Sequence, residues 1–61
     1  MMYYLLQKKR FISVTGKEFY NVINDLKENL SLKCSSKDNY VYYYYNFTDG
    51  SKYLVGYRTI C

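Results

Sequence analysis

Histidine, proline, tryptophan and alanine are missing from this 61-residue chain, which also contains only two cysteines and three glycines. Without histidine, the commonest general base of enzymes is absent, and the serine-containing runs offer no partner base. Cys34 and Cys61 lack the CxxC spacing of a zinc site, and five scattered carboxylates do not indicate a two-metal centre. We therefore expect a non-enzymatic protein with no catalytic residues, no metal site and no cofactor.

Long apolar runs are also missing. No stretch approaches the ~18 apolar residues of a membrane span. The opening MMYYLLQKKRF has its basic residues on the wrong side of a short apolar run for a secretion signal. We therefore expect a cytoplasmic protein, in which the cysteines stay reduced. The expected placement is a half-buried Cys34 and a frayed terminal Cys61.

The length predicts one small domain, residues 1–61. A chain of this size buries only about 60% of the surface that its unfolded form exposes. Its expected net stability is therefore only ~3–5 kcal/mol. One helix on one small sheet fills such a domain and leaves no room for a deep substrate cleft.

The clearest predicted element is a helix within residues 14–30. Its apolar residues recur at the spacing of one helical face: Phe19, Val22, Ile23, Leu26 and Leu30. Thr15 and Glu18 have the spacing of a capping box, in which the hydroxyl accepts from the Glu18 amide. The opposite face is polar, so this helix should cover one side of a sheet.

The other segments alternate like strands. Residues 2–14 alternate as one strand interrupted at Lys8–Arg10, which indicates a bulge or a strand longer than its cover. Residues 31–35 predict a short strand or extended segment. Asp49-Gly50 between two β-rich runs predicts a hairpin. The predicted fold class is α+β: one α-helix packed on one face of a short antiparallel sheet, in the order β-α-(β)-β-β.

Tyrosine dominates the predicted hairpin, with seven occurrences in residues 40–57. If Asp49-Gly50 is a two-residue type I′ loop, Tyr43 pairs with Gly56. The outward face then holds Tyr40, Tyr42, Tyr44, Tyr53, Val55 and Tyr57, and the helix-covered face holds Val41, Tyr43, Tyr45, Phe47, Leu54 and Ile60.

A type I turn with a bulge at Gly50 is the alternative for this loop. Tyr45 then pairs with Tyr53, and the residues of the last strand exchange faces. One helix cannot cover both faces of the hairpin. At least three tyrosines are therefore expected outside in either register.

Two interpretations of these tyrosines remain open. Rigid amphipathic rings lose little side-chain entropy on binding, which favours a contact surface. Alternatively, cross-strand aromatic pairs each contribute ~0.2–1 kcal/mol to a thin domain. In addition, Lys, Asn, Tyr and Ile make up 25 of the 61 residues, which indicates A/T-rich coding that supplies tyrosines without a functional reason.

The formal charge of +4 favours an anionic partner. The basic residues include the run Lys8–Arg10 and cations on or beside the predicted strands. The predicted partner-binding residues combine both types: Tyr40, Tyr42, Tyr44, Tyr53, Tyr57, Lys8, Lys9, Arg10, Lys52 and Arg58.

These features predict a small binding protein whose tyrosine- and lysine-rich hairpin face grips a protein or ribonucleoprotein partner. Short, A/T-rich, motif-free chains are typical of phages and mobile elements, so the concrete expectation is an inhibitor of a host defence complex, of anti-CRISPR type, in the host cytoplasm. The alternative is a small RNA- or single-stranded-DNA-binding module that stacks bases on tyrosines. The RNP patterns and the second helix of sheet-face RNA readers are missing.

Overall fold

One helix lies on one face of a five-stranded antiparallel sheet, in a computed structural model that describes residues 1–60. The predicted α+β class and the helix on one sheet face are therefore confirmed. The elements are β1 (Tyr3–Gln7), β2 (Arg10–Val14), α1 (Gly16–Leu26), a 3-10 turn (Lys27–Asn29), β3 (Leu30–Ser35), β4 (Tyr40–Asn46) and β5 (Lys52–Thr59). The spatial order is β2-β1-β5-β4-β3. Cys61 lies outside the described residues, as does the prediction made for it.

The N-terminal segment is a hairpin, and the single interrupted strand predicted there is wrong. Lys8 and Lys9 form its turn with φ angles of 50° and 69°, and Leu5 opposes Ile12 across the two strands. Positive φ at both central residues is typical of a type I′ turn, which Asn-Gly favours. Because Lys-Lys is not a turn signal, one strand was missed. The observed order is β-β-α-β-β-β.

Helix α1 begins as the sequence predicts. The Thr15 side chain caps it, with Oγ1 accepting a hydrogen bond of 3.1 Å from the Glu18 backbone N–H. The helix ends at Leu26, one 3-10 turn follows, and Leu30 already belongs to β3. The predicted helical stripe is therefore too long, because its last member packs on the core from the sheet.

The core contains five buried side chains: Leu5, Phe19, Ile23, Val41 and Tyr43. Phe19 and Ile23 come from the predicted helical stripe, whereas Val22 is exposed and Leu26 is only half-buried. The Tyr43 phenol is satisfied, because its oxygen accepts from Arg58 Nε at 2.9 Å. A buried tyrosine on this sheet thus has the hydrogen-bond partner that burial of a phenol requires.

The β4–β5 hairpin contains both predicted registers, one on each side of a bulge. Next to the turn, Tyr45 opposes Tyr53, as predicted for the turn with a glycine bulge. Further from the turn, Tyr43 opposes Gly56, as predicted for the two-residue loop. Val55 is the extra residue between these two segments.

The turn itself follows the glycine-bulge geometry. Gly50 has a φ of 91°, which glycine adopts without steric cost. The hydroxyl and backbone N–H of Ser51 donate to Asp49 Oδ1 at 2.6 and 2.8 Å. These hydrogen bonds lower the pKa of Asp49 and hold the turn in one conformation.

The bulge corrects the predicted faces of two residues. Tyr53 opposes Tyr45 and so shares the helix-facing side of the sheet, although it was predicted on the outward face. Leu54 opposes Tyr44 on the other side, although it was predicted under the helix. The physical reason is that one extra residue reverses the side-chain alternation of a strand beyond it.

Gly56 is a position where we expect no larger residue to be tolerated. A Cβ there would lie 2.5 Å from the Tyr4 carbonyl oxygen and 3.3 Å from the Phe19 ring. Moving that oxygen disturbs the pairing of β1 with β5. We therefore expect Gly56→Ala to lower the free energy of unfolding by about 1–3 kcal/mol, measured by chemical denaturation.

Gly16→Ala is the matched control for this substitution. The three atoms nearest to its added Cβ all belong to the Tyr3 side chain, the first at 3.2 Å, and alanine has the higher helix propensity. We expect its effect to be much smaller. Equal stabilities of the two variants would contradict the close approach of β1 to Gly56.

Candidate partner-binding face

The sheet has one side covered by α1 and one side that no described helix covers. We call the second side the open face. Strand alternation and register place there Tyr4, Leu6, Phe11, Lys33, Tyr40, Tyr42, Tyr44, Lys52, Leu54 and Tyr57. The prediction that several tyrosines lie outside the helix cover is thus confirmed for the hairpin.

Five aromatic rings touch at the centre of the open face, and we call them the aromatic cluster. Tyr57 is the hub. Its ring centroid lies 4.8 Å from Tyr4, 5.1 Å from Phe11, 5.3 Å from Tyr40 and 5.9 Å from Tyr42. The five rings come from four adjacent strands. Because each ring packs against a neighbour, the cluster presents an ordered surface of aromatic edges and phenol groups.

Two phenols of the cluster, those of Tyr42 and Tyr57, have a pKa raised above the ordinary value of tyrosine. Partial burial raises the pKa of Tyr57, and the nearby Tyr4 and Tyr40 phenols add to the effect. Burial and the Asp38 carboxylate likewise raise the pKa of Tyr42, whose hydroxyl donates to Asp38 Oδ2 at 3.4 Å. The open face therefore offers neutral hydroxyl groups as donors and acceptors.

Charge is divided unevenly between the sheet and the rest of the molecule. The five strands contain no carboxylate, and all five acidic residues lie in the helical segments or in turns. On the open face, Lys33 opposes Tyr42 and Lys52 opposes Asn46. This face is therefore aromatic at its centre and basic at two of its margins, and the Asp38 carboxylate meets it at the Tyr42 hydroxyl.

Arg58 lies on the opposite side from the aromatic cluster. It does contact a tyrosine as predicted, but its Nε donates to the buried Tyr43 hydroxyl. That hydrogen bond raises the pKa of Arg58, and the neighbouring Tyr20 and Tyr3 phenols act in the same direction. The predicted grouping of Arg58 with the outward tyrosines is therefore wrong, because this half-buried side chain supports the core.

Tyr53 is also separated from the other predicted tyrosines. It joins a second, smaller aromatic group beside the turn, in which Phe47 lies 6.4 Å from Tyr53 and 5.1 Å from Tyr45 between ring centroids. By contrast, Tyr40, Tyr42, Tyr44 and Tyr57 share the open face as predicted.

The N-terminal hairpin supplies two rings that sequence reasoning missed. Tyr4 and Phe11 complete the aromatic cluster from β1 and β2. The available signal was the apolar content on both sides of Lys8-Lys9, which fits two short strands. The turn residues between them hide this signal, because lysine is uncommon at positions with positive φ.

The basic run lies at the tip of that hairpin. Strands β1 and β5 are antiparallel, with Leu5 opposite Gly56. The C-terminal end of β1, which leads to Lys8 and Lys9, therefore lies beside the N-terminal end of β5, where Lys52 is the first residue. These three lysines therefore lie at one end of the sheet, which we call the basic end. Arg10 follows as the exposed first residue of β2, opposite Gln7.

The turn at the basic end is strained, and relieving it should stabilise the protein. A left-handed conformation costs an L-residue ~1–2 kcal/mol, and both lysines adopt it. We expect Lys8→Asn with Lys9→Gly to raise the melting temperature by about 4–8 °C for each kcal/mol relieved. Replacing both lysines with Gln is the control, since it removes the same charges but keeps the strain. Equal melting temperatures for the two variants would contradict the left-handed turn.

No known protein family, curated protein or solved structure matches the chain. Within residues 1–60, no helix has the length and apolar character needed to cross a membrane. The same residues contain no group of three or more His, Cys, Asp or Glu side chains that could hold a metal ion. Cys34 is exposed, which corrects the prediction that it is half-buried.

Proposed function

We propose that this chain is a non-enzymatic binding protein that holds an acidic protein or ribonucleoprotein partner on its open face. The aromatic cluster, which shares the open face with Lys33 and Lys52 on strands without carboxylates, is the observation that supports this proposal. Aromatic side chains, tyrosine among them, are enriched at interfaces and at binding hot spots. Lys33 and Lys52 attract an acidic partner electrostatically, and the one carboxylate in contact with the cluster, that of Asp38, is already held by the Tyr42 hydroxyl.

A small-molecule substrate is less well supported. The groove between α1 and β3 has a volume of about 200 Å³ and is lined by four apolar or aromatic side chains and Lys27. Ligand pockets usually have volumes of about 300–1,000 Å³ and several convergent polar groups. The open face is therefore the better candidate for function.

The narrower form of the proposal is an inhibitor of a host defence complex, of anti-CRISPR type, acting in the host cytoplasm. The small size, the A/T-rich composition and the absence of a recognisable motif support it. A pull-down from host lysate with mass spectrometry, with and without nuclease, tests it. We expect an acidic protein or protein complex that survives nuclease treatment. Recovery of the same background proteins by the wild type and by Tyr42→Ser would contradict the proposal.

The second candidate partner is single-stranded nucleic acid. The carboxylate-free strands and the basic end favour it, because phosphates are held by Lys and Arg while bases stack on aromatic rings. Titration with mixed-sequence RNA and DNA at two salt concentrations decides between the candidates. Each lost phosphate contact lowers the slope of log K against log salt by about 0.7. Replacing Lys8 and Lys9 with Gln should therefore flatten the slope. No binding at low salt would rule this candidate out.

A further inference from the structure

Strand β3 is one edge of the sheet, so one side of its backbone has no strand partner within residues 1–60. Proteins usually protect such edges with prolines, bulges, lysines or inward-pointing charges. β3 has no proline and no bulge and pairs regularly with β4 over its whole length; its one charged residue, Lys33, lies on the open face and leaves the helix-facing side apolar. The edge is therefore free to take up a further strand.

The helix-facing side of this edge is apolar and uncovered. Leu32 is 62% exposed, and Leu30 and Cys34 alternate with it on the same side. Helix α1 does not reach over the strand, because the groove that Leu30 and Leu32 line lies between them. A strand that fits here brings apolar side chains to the helix-facing side and polar ones to the open face.

We propose that β3 pairs antiparallel with β3 of a second copy, forming a dimer with its two-fold axis at Leu32. Leu32 then opposes Leu32 of the second copy, and Leu30 opposes Cys34, so all opposed pairs on the helix-facing side are apolar. On the open face, Lys33 opposes Ser31, which avoids a like-charge pair. The strand carries the pattern that a two-fold axis requires, since it is apolar at Leu30 and Cys34 and polar at the two positions between them and Leu32.

The neighbouring registers fit less well. An axis at Lys33 places two lysines directly opposite each other, which is destabilising. An axis at Ser31 limits the paired part of β3 to residues 30–32. If the axis passes between two consecutive residues of β3, each helix-facing residue opposes an open-face residue of the second copy. Leucines are then paired with polar side chains. The axis at Leu32 alone pairs like with like over residues 30–34.

The dimer has a consequence for the surface of the assembly. With the axis perpendicular to the sheet, the two five-stranded sheets join into one, and both helices lie on the same side. Both open faces then lie together on the other side and form one double-sized surface.

Sedimentation across a concentration series tests the dimer. We expect the wild type to dimerise and Leu32→Lys to raise the dissociation constant at least about 100-fold, because it removes two leucines per dimer and opposes two charges. Val22→Lys is the matched control, since it adds the same charge at an exposed apolar residue on α1. It should leave dimerisation unchanged. The proposal is overturned if the wild type is monomeric at every concentration. It is also overturned if Leu32→Lys leaves the dissociation constant of the dimer unchanged.

Disulfide cross-linking tests the register. With Cys34 and Cys61 both changed to Ser, Leu32→Cys places two thiols on the axis, where opposed Cβ atoms are about 4.5–5.5 Å apart. We expect rapid formation of a covalent dimer. The control keeps native Cys34 and carries only Cys61→Ser; the Cα atoms of its two cysteines lie about 14 Å apart in this register, so they should not cross-link. Faster cross-linking of the control would refute the Leu32 axis. If β3 pairs only with a strand of a different protein and never with a second copy, the dimer proposal is wrong.

Discussion

Phe19→Ala is expected to leave the chain largely unfolded at room temperature. Phe19 is the one side chain among residues 1–60 that is fully buried, with an exposed fraction of 0%. Its ring packs against three tyrosines, with centroids 5.2 Å from Tyr3, 5.3 Å from Tyr20 and 5.2 Å from Tyr43. Truncating a buried phenylalanine costs about 3–5 kcal/mol, which equals the stability of ~3–5 kcal/mol expected for this size. Circular dichroism and chemical denaturation measure the loss.

Ile23→Ala should follow with a loss of about 2–5 kcal/mol, since Ile23 is buried one helical turn further on. Leu26 belongs to the same apolar stripe of the sequence, but it is only half-buried, so Leu26→Ala should cost less than Ile23→Ala. Val22→Ala, at an exposed position, serves as the control. A cooperative melt of Phe19→Ala within a few degrees of the wild type would remove this ring from the centre of the core.

Local signals made part of the fold predictable. The helix was recognised because apolar spacing and the Thr15 cap act within a few residues of one another. The C-terminal hairpin was recognised because Asp49-Gly50 suits a turn wherever it stands between two strands. In both cases, residues within one segment are enough to favour its conformation, without contacts from the rest of the chain.

The rest depends on contacts that no segment specifies alone. The Lys8-Lys9 turn adopts a conformation that lysine disfavours, so the pairing of β1 with β2 must impose it. The bulge at Val55 gives the single hairpin two registers. Gly56 opposes Leu5 of β1 and Tyr43 of β4. It directly follows the bulge residue Val55, so the bulge lies where β1 approaches β5 closely. Strand order and bulge position are therefore properties of the assembled sheet.

The candidate site was predictable in β4 and at Tyr57 of β5, but not in β1 and β2. Tyr40, Tyr42 and Tyr44 reach the open face because β4 alternates without a bulge. Tyr4 and Phe11 were missed because they belong to strands whose pairing was not anticipated. The tyrosines also divide between two roles, since Tyr43 lies in the core and hydrogen-bonds to Arg58. Composition alone does not separate these roles.

Tyr42→Ser is expected to damage binding more than folding. Within the aromatic cluster its ring contacts only Tyr40, at 6.1 Å, and Tyr57, at 5.9 Å. The loss of stability should therefore stay near ~1 kcal/mol for a cross-strand pair. A truncated hot-spot residue costs at least ~2 kcal/mol of binding. Titration calorimetry with the partner recovered by pull-down measures binding, and thermal denaturation measures stability.

Two further substitutions test whether the aromatic cluster binds the partner or only stabilises the sheet. Tyr57→Ser removes the hub, which contacts four rings, so it should lower both binding and stability. Tyr53→Ser is the matched control, because Tyr53 is 49% exposed on the other side of the sheet, and it should leave binding unchanged. If Tyr42→Ser and Tyr57→Ser bind the partner normally but melt far earlier, the aromatic cluster serves only to stabilise a thin sheet, and the proposed function is wrong. Loss of binding in Tyr42→Ser at near-normal stability, with Tyr53→Ser unaffected, assigns the partner to the open face.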